Sequence, residues 1–407
     1  MQSNKAIPQK IRDTLKQVVN GAIDNYEVRV HDPNQKGEGY LGQMVFITLQ
    51  EKGTGKELNL AVKQAFSEDN IRKHNPIRDA FLNEIYFYTE LWPKLSKLQE
   101  GVPEKYNFHH LPKCLAVNSE DKYERLVLEN LKQEGFAMHD KTKALDVKMY
   151  EEIFKVYAKL HALSLAYKQS HPEDFLKIDS DTIPAWLEST KKKALQDSFR
   201  INAENCLKVL ESVVDAKVLE KFKCYVNDSV GIFREAQCKA RYSVLLHGDC
   251  WSNNVMFKYD SLGNVSDLKL IDFQLITVGS PVCDLSYTLY SGGSKEVFDQ
   301  LDHLLRIYHQ ALSDTLRALG YDSNQLLPFQ VLKGDWKVHC QKGVVLAIAI
   351  WKGKMIYQEE VLDLTDICDE DEVDMEKYLN AKYDEETYRE RMKDLVLHLY
   401  ENDYMYG

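Results

Sequence analysis

The stretch from Leu245 to Tyr290 reads LLHGDCWSNNVMFKYDSLGNVSDLKLIDFQLITVGSPVCDLSYTLY, and it decides which fold the sequence predicts. One apolar run leads into Asp249, and Asn254 follows five residues later. A second apolar run leads into Asp272. A Gly-Asn pair between the two halves favours a turn, so we expect the halves to lie side by side as a hairpin. Asp249, Asn254 and Asp272 would then converge at one end of that hairpin.

The convergence of these three side chains has a chemical consequence. Two carboxylates that are brought together repel each other unless a cation or a proton lies between them. Carboxylate and amide oxygens are hard ligands that suit Mg²⁺, which prefers one or two carboxylates together with substrate phosphates. A base Asp, an Asn five residues on and a metal-binding Asp before Phe are the ligand set of a kinase catalytic loop. The spacing therefore indicates phosphoryl transfer.

Three ordered motifs in this stretch resemble the ecdysteroid kinase-like family, a branch of the choline kinase and aminoglycoside phosphotransferase group that shares the protein kinase fold. They are His-Gly-Asp-x-Trp-x-Asn-Asn-x-Met from His247, Ile-Asp-Phe-Gln from Ile271, and Gly-Ser-Pro-x-x-Asp-Leu-Ser-Tyr from Gly279. The resemblance implies an α+β, protein kinase-like fold of two lobes. Residues 1–131 would form an ATP-binding lobe, an antiparallel sheet with one helix. Residues 132–407 would form a larger, mainly helical lobe for catalysis and substrate binding.

Size and composition agree with such an enzyme. The chain has 407 residues, and its net charge of −11 argues against a nucleic-acid partner, which would need a basic stripe. Its longest apolar run, Val344–Trp351, is far shorter than the roughly 20 residues that span a bilayer. The N-terminus has no apolar segment typical of a secretory signal, and the eight cysteines show no metal-ligand spacing. We therefore expect a cytoplasmic protein with reduced thiols, in which the acidic segment 359–390 is a solvated surface.

Upstream, Gly37, Gly39 and Gly42 fit the pattern G-x-G-x-x-G. They fall between segments that alternate like strands of an antiparallel meander. The predicted strands are Tyr26–Val30, Met44–Leu49 and Leu58–Lys63. A glycine loop between two strands is the kinase arrangement, in which backbone N–H groups approach phosphate oxygens because no side chain blocks them. A plain hairpin turn is the alternative interpretation.

Lys63 ends the third predicted strand, and Glu84 lies on the apolar face of the helix predicted over Asp79–Leu91. A carboxylate on an apolar face is costly unless it is paired, and Lys63 is the natural partner, as in the kinase Lys–Glu pair. Otherwise Glu84 would lie at the edge of that face, in water. By the resemblance, Glu129 and Leu131 belong to the hinge between the lobes, whose backbone would meet adenine.

The kinase pattern assigns a role to each of these residues. Asp249 would be the catalytic base, or would orient the substrate hydroxyl. Asn254 and Asp272 would hold Mg²⁺ on the ATP phosphates, and Lys63 would bind the α and β phosphates. Three further residues have structural roles, since Asp284 would brace the catalytic loop, His247 would bond the backbone near Asp272, and His161 would be a hydrogen-bonded core histidine.

Three long helices are also predicted from apolar periodicity. The first runs from Asp146 to Tyr167. The second begins at a Ser294 cap and ends near Gly320, and the third covers Leu332–Trp351. The second half of the third helix is apolar nearly all round, so it should be deeply buried.

The acceptor class follows from a missing motif. After Asp272 the chain has no Ala-Pro-Glu segment, which protein kinases use to dock and control protein substrates. A small molecule with a free hydroxyl is therefore favoured, and the resemblance implies an ecdysteroid or another lipophilic compound, in hormone metabolism or detoxification. A choline or aminoglycoside type kinase is one alternative, since the acidic residues after Glu359 would suit a cationic acceptor. A nucleotide-binding protein without turnover is the other.

Overall fold

The computed structural model describes residues 9–31, 41–238, 240–362, 364–368, 373, 377 and 380–405. Gly37 and Gly39 of the predicted glycine loop lie outside the described residues, as does part of the acidic segment 359–390. All eight cysteines are free thiols, as expected. Among the described residues, no helix has the length and apolar character needed to cross a membrane.

The N-terminal part is built on an antiparallel sheet of five strands in the order β1-β2-β3-β5-β4. The strands are β1 (Tyr26–Val30), β2 (Gly42–Glu51), β3 (Glu57–Ala65), β4 (Cys114–Asn118) and β5 (Arg125–Glu129). The three strands predicted upstream are confirmed. The first has the predicted bounds, and the other two are longer at both ends.

The alternation of side chains along β3 decides where Lys63 points. Successive residues of a strand face opposite sides of the sheet. Leu60 and Val62 belong to a small apolar cluster that also buries one face of the first helix, α1 (Gln9–Val18). Ala65 belongs instead to the main core, on the opposite face. Lys63 has the same parity as Ala65 and is therefore directed toward the main core.

The helix that faces this side of the sheet is α3 (Ile77–Tyr86), which follows the short α2 (Asp69–His74). It continues as a π-helical segment, Phe87–Leu91, and then as α4 (Trp92–Lys97). The helix predicted over Asp79–Leu91 is therefore confirmed, although its last part is wider than an α-helix. Glu84 and Phe81 of α3 are fully buried.

The C-terminal part is mainly helical, and its longest helix is α5 (Val147–Ser170), which confirms the helix predicted over Asp146–Tyr167 and is capped by the side chain of Asp146. The next helices along the chain are α6 (Pro172–Asp181), the short α7 (Ala185–Ser189), α8 (Lys193–Leu210), α9 (Ala216–Val226) and α10 (Ser229–Ala236). The remaining helices follow the catalytic stretch: α11 (Pro281–Gly292), α12 (Lys295–Phe298), α13 (Leu301–Ala318), α14 (Ser323–Leu326), α15 (Phe329–His339), α16 (Gln341–Met355), α17 (Leu364–Ile367) and α18 (Glu385–Glu401).

Two of the predicted long helices are wrong because each is divided. The helix expected from Ser294 breaks after Phe298, since α12 packs on α18 whereas α13 packs on α5. The Ser294 side chain makes no capping hydrogen bond. The helix expected over Leu332–Trp351 divides into α15 and α16. There the side chain of Gln341 donates to the Lys337 carbonyl at 2.8 Å, in competition with the backbone ladder.

The predicted hairpin is present, but its first strand differs from the prediction. β8 (Val255–Tyr259) pairs with β9 (Val265–Leu270), and the short β6 (Ala137–Met138) pairs with the other edge of β8. The apolar run before the His-Gly-Asp sequence is β7 (Val244–Leu246), which pairs instead with β10 (Thr277–Gly279). The residues between β7 and β8 are therefore free to form a loop beside the end of β9.

The packing of α16 on α11 depends on one glycine. A Cβ added at Gly343 would lie 2.5 Å from the carbonyl carbon of Ser286 and 2.7 Å from the Tyr287 nitrogen, both of which are backbone atoms. We therefore expect Gly343→Ala to destabilise the protein by about 1–3 kcal/mol, because backbone cannot move aside as a side chain can. Denaturant unfolding would measure this change.

The matched control is Gly334→Ala on α15, where an added Cβ would meet no atom within 4 Å. There alanine should stabilise the helix by about 0.5–1 kcal/mol because it loses less backbone entropy than glycine on folding. Equal effects of the two substitutions would contradict the close approach of α16 and α11.

Candidate active site

The side chain of Lys63 connects the sheet to α3 and to the chain after β9. Its ammonium lies 2.6 Å from Glu84 Oε2 and also contacts Asp272 Oδ1. A third hydrogen bond runs to Gln274 Oε1 at 3.0 Å. Burial disfavours the charged form of Lys63, but the carboxylates of Asp272 and Glu84 outweigh that cost and raise its pKa. The predicted contact between Lys63 and Glu84 is therefore present, and it is extended by two more partners.

Gln274 links Lys63 to Asp249, although we predicted no role for it. It accepts from Lys63 through Oε1 and donates through Nε2 to Asp249 Oδ2 at 3.3 Å. It stands where the kinase Asp-Phe-Gly sequence has glycine. An amide can accept on one side and donate on the other, so Gln274 suits a position between an ammonium and a carboxylate. The available signal was its place in the Ile-Asp-Phe-Gln motif, directly after Asp272-Phe273.

Asp249 is nearly buried, with 8% of its surface exposed. Its other carboxylate oxygen lies 3.4 Å from the hydroxyl of Tyr287 on α11. Burial, together with the nearby negative charge of Asp272, raises the pKa of Asp249 to about 6. A carboxylate whose pKa is raised in this way is a better proton acceptor than an ordinary aspartate.

Asn254 and Asp272 lie on adjacent segments at the open end of the hairpin. The side-chain amide of Asn254 donates to the backbone carbonyl of Asp249 at 2.7 Å. The backbone carbonyl of Asn254 accepts from the N–H of Ile271 at 3.0 Å. Asp272 has a left-handed backbone with φ of +69°, which is uncommon for a residue other than glycine. The structure therefore brings together the three residues whose convergence the sequence predicts.

Asp284 on α11 holds the loop that carries Asp249 through its backbone N–H groups. Its two carboxylate oxygens accept from the backbone N–H groups of His247 at 2.7 Å and of Gly248 at 3.1 Å. It also lies 3.4 Å from Nε2 of the buried His161, whose other ring nitrogen contacts the Tyr308 hydroxyl at 2.9 Å. His247 itself contacts the Ile271 carbonyl at 2.9 Å. The contacts expected for Asp284, His247 and His161 are therefore observed.

The described residues Gly42, Glu129 and Leu131, which we predicted to contact the nucleotide, lie on the strands that flank β3 or directly after one of them. Gly42 begins β2, and a Cβ added there would lie 2.4 Å from the Gln64 carbonyl oxygen, so the position requires glycine. Glu129 ends β5, and its side chain accepts from Lys113 N at 3.0 Å. Leu131 begins a 3₁₀ turn that the side chain of Asn130 caps through Lys132 N. These contacts are structural, and the adenine role of Glu129 and Leu131 stays a prediction.

Comparisons with known proteins identify relatives of the chain. The Ecdysteroid kinase-like family matches residues 36–321. The crystal structure of aminoglycoside-3′-phosphotransferase of type VIII has 16% identity and a TM-score of 0.34, covering 81% of this chain and 100% of that one. The GDP complex of a mutant aminoglycoside 2′-phosphotransferase IIIa has 14% identity and a TM-score of 0.37, covering 83% and 96% respectively. No curated protein matches the chain.

The burial of the Lys63–Glu84 pair allows a stability test. The side chain of Glu84 is fully buried and that of Lys63 is 9% exposed, so Lys63→Met leaves a buried carboxylate without its cation. We expect a loss of about 3 kcal/mol in the free energy of unfolding. Urea unfolding of the double variant Lys63→Met/Glu84→Gln should show much of that loss restored, since no charge then remains at Glu84. Equal destabilisation in the single and double variants would contradict a compensating role for Lys63.

Proposed function

Because the chain belongs to the ecdysteroid kinase-like family, we propose that it transfers the γ-phosphoryl group of ATP to a hydroxyl group of an ecdysteroid or a similar lipophilic compound. Family membership makes the chain a kinase-like small-molecule phosphotransferase; the donor, the metal and the acceptor are our proposal. The observation that carries it is the continuous chain of contacts from Glu84 through Lys63 and Gln274 to Asp249.

Asp249 is the proposed proton acceptor. As the acceptor oxygen forms its bond to phosphorus and ADP leaves, the hydroxyl proton passes to the Asp249 carboxylate. Gln274 and Tyr287 each donate toward one oxygen of that carboxylate, so its orientation is fixed from two sides. Lys63 supplies a positive charge for the α and β phosphates, and Glu84 holds it in place. Sites of this kind act mainly by positioning and by neutralising charge.

The side chains around Lys63 fit a divalent cation. The carboxylates of Glu84, Asp249 and Asp272 surround this ammonium, so negative charge is in excess there. Asp272 is the most exposed of the three, with 32% of its side chain accessible, and its neighbour Ile271 donates its backbone N–H to the backbone carbonyl of Asn254. We propose Asn254 and Asp272 as Mg²⁺ ligands, because hard oxygen donors of this kind suit that ion. The ion would neutralise charge on the phosphate oxygens.

A cavity of about 590 Å³ supports a lipophilic acceptor. It lies between helices α6, α7 and α10 on one side and the paired strands β7 and β10 on the other. Its walls therefore include residues of the two segments that carry Asp249 and Asp272. Leu246 comes three residues before Asp249, and Thr277 comes five residues after Asp272. The apolar lining residues are Leu176, Pro184, Leu187, Leu246 and Val278. A volume of this size is typical of pockets for drug-sized ligands.

The same cavity argues against a cationic acceptor such as choline or an aminoglycoside. Recognition of a quaternary or primary ammonium uses aromatic faces or several carboxylates. Among the described residues that line the cavity, Asp179 is the one carboxylate, Arg234 contributes a positive charge, and no aromatic side chain is present. The lining therefore favours an uncharged, hydroxylated compound.

Phosphate transfer from Mg·ATP tests the proposal directly. The acceptor panel comprises ecdysteroids, plant phenolics and glycosides, choline and an aminoglycoside, with labelled phosphate followed into product. We expect a phosphorylated steroid or phenolic compound. Asp249→Asn should lower kcat on the order of 10²-fold or more, because the amide cannot take the proton.

The matched control is Asp314→Asn on α13, since Asp314 forms an exposed ion pair with Arg317 away from the site. It should leave kcat unchanged. Product from choline or the aminoglycoside alone would replace the lipophilic acceptor with a cationic one. ATP binding without transfer to any compound would favour a nucleotide-binding protein without turnover.

The acceptor cavity makes a separate prediction. Leu187→Gln places an amide in the apolar wall, so the KM for a steroid acceptor should rise about tenfold, or about 1.4 kcal/mol of binding, while the KM for ATP stays unchanged. Leu262→Gln is the control, because Leu262 lies in the β8–β9 turn and is 84% exposed. Steady-state kinetics with both substrates varied would measure the effect. An unchanged acceptor KM in Leu187→Gln would place the acceptor elsewhere.

A further inference from the structure

Helix α16 carries lysines in a part of the protein where charge is costly. It is buried along most of its length, and Lys342 and Lys354 on it are 0% and 2% exposed. A buried ammonium is strongly disfavoured unless polar groups surround it. The partners of these two lysines therefore indicate why the helix tolerates them.

Both lysines contact the loop between β7 and β8, which contains Asp249. The ammonium of Lys342 donates to the carbonyl of Gly248 at 3.1 Å. The ammonium of Lys354 donates to Ser252 Oγ and to the Ser291 carbonyl, each at 2.9 Å. Lys342 thus contacts the residue directly before Asp249, and Lys354 contacts a residue shortly after it.

Gly343 fixes the distance at which Lys342 meets the loop. Because α16 touches the backbone of α11 at Gly343, the neighbouring lysine cannot withdraw without separating the two helices. Helix α11 itself holds the loop through Asp284, which accepts from the N–H groups of His247 and Gly248. The peptide groups before Asp249 are therefore held on their N–H side by Asp284 and on the carbonyl of Gly248 by Lys342.

The positive charge of Lys342 also stabilises its position near the carboxylates of Asp249 and Asp284. The loop from His247 to Asn254 contains no lysine or arginine, although it carries the buried Asp249 and rests on the buried Asp284. The positive charge of Lys342 acts on both carboxylates and favours their ionised forms. Lys63 is paired instead with Glu84 and Asp272.

We infer that Lys342 is a positioning residue for phosphoryl transfer, whose ammonium fixes the Gly248 carbonyl and supplies the positive charge that the catalytic loop lacks. This inference rests on the function proposed above. In this inference, Lys342 of α16, a helix far along the sequence from the loop, orients Asp249 toward the acceptor hydroxyl. Lys342 acts through Asp249 and takes no part in binding ATP.

The test compares Lys342→Met with Lys352→Met. Lys352 is also buried on α16, 1% exposed, but its ammonium lies over the ring of Tyr383, 5.3 Å from the centroid. We expect Lys342→Met to lower kcat tenfold or more while the Kd for Mg·ATP stays within about twofold. Lys352→Met should keep kcat within about twofold of the wild type. Phosphate transfer, calorimetric ATP binding and thermal unfolding would be measured for each protein.

A double-mutant cycle separates positioning from a general structural effect. If Lys342 acts through Asp249, adding Lys342→Met to Asp249→Asn should lower kcat no further. Multiplying losses, or equal losses in Lys342→Met and Lys352→Met, would overturn the inference while leaving the proposed function intact. If Lys342→Met does not fold, Lys342→Arg should retain more kcat than Lys342→Gln, and equal values would overturn it. A wild-type protein that transfers no phosphate would overturn both the proposed function and the inference.

Discussion

The ion pair between Lys63 and Glu84 is the contact on which the arrangement of the site depends. A carboxylate in the last turn of α3 is stable in the core because an ammonium from β3 lies 2.6 Å away. The pair fixes α3 against the sheet, and the remaining donors of the same ammonium reach Asp272 and Gln274. One side chain thereby connects the sheet, the helix and the segment that follows β9.

The loop that carries Asp249 is held in a similar way, but by groups from the helical part. Asp284 binds its N–H groups, Lys342 binds a carbonyl and Asn254 closes it internally. Each of these side chains is buried, so each must satisfy its charge or dipole inside the protein. The loop is therefore held by buried polar contacts from α11, from α16 and from within the loop itself.

Local patterns predicted much of this arrangement. The alternation along β3 and the apolar face of α3 were enough to bring Lys63 to Glu84, because both depend on residues close in sequence. The partner of the hairpin's second strand could not be predicted, since several apolar runs can pair equally well with it. Gln274 and Lys342 were missed because their roles depend on contacts with distant segments. The break between α15 and α16 coincides with a hydrogen bond from the Gln341 side chain to the Lys337 carbonyl, and apolar periodicity does not predict such a bond.

The exposed fractions of the side chains that contact Lys63 indicate which of these contacts ATP replaces in the proposed reaction. The ammonium has three donors, and Glu84, Asp272 and Gln274 each receive one. Phosphate oxygens need at least one of these donors. Glu84 is fully buried and would be left without compensation, whereas 32% of the Asp272 side chain is exposed. Of these two carboxylates, Asp272 is therefore the one that costs less to release from Lys63, and the released carboxylate is one of the two proposed Mg²⁺ ligands.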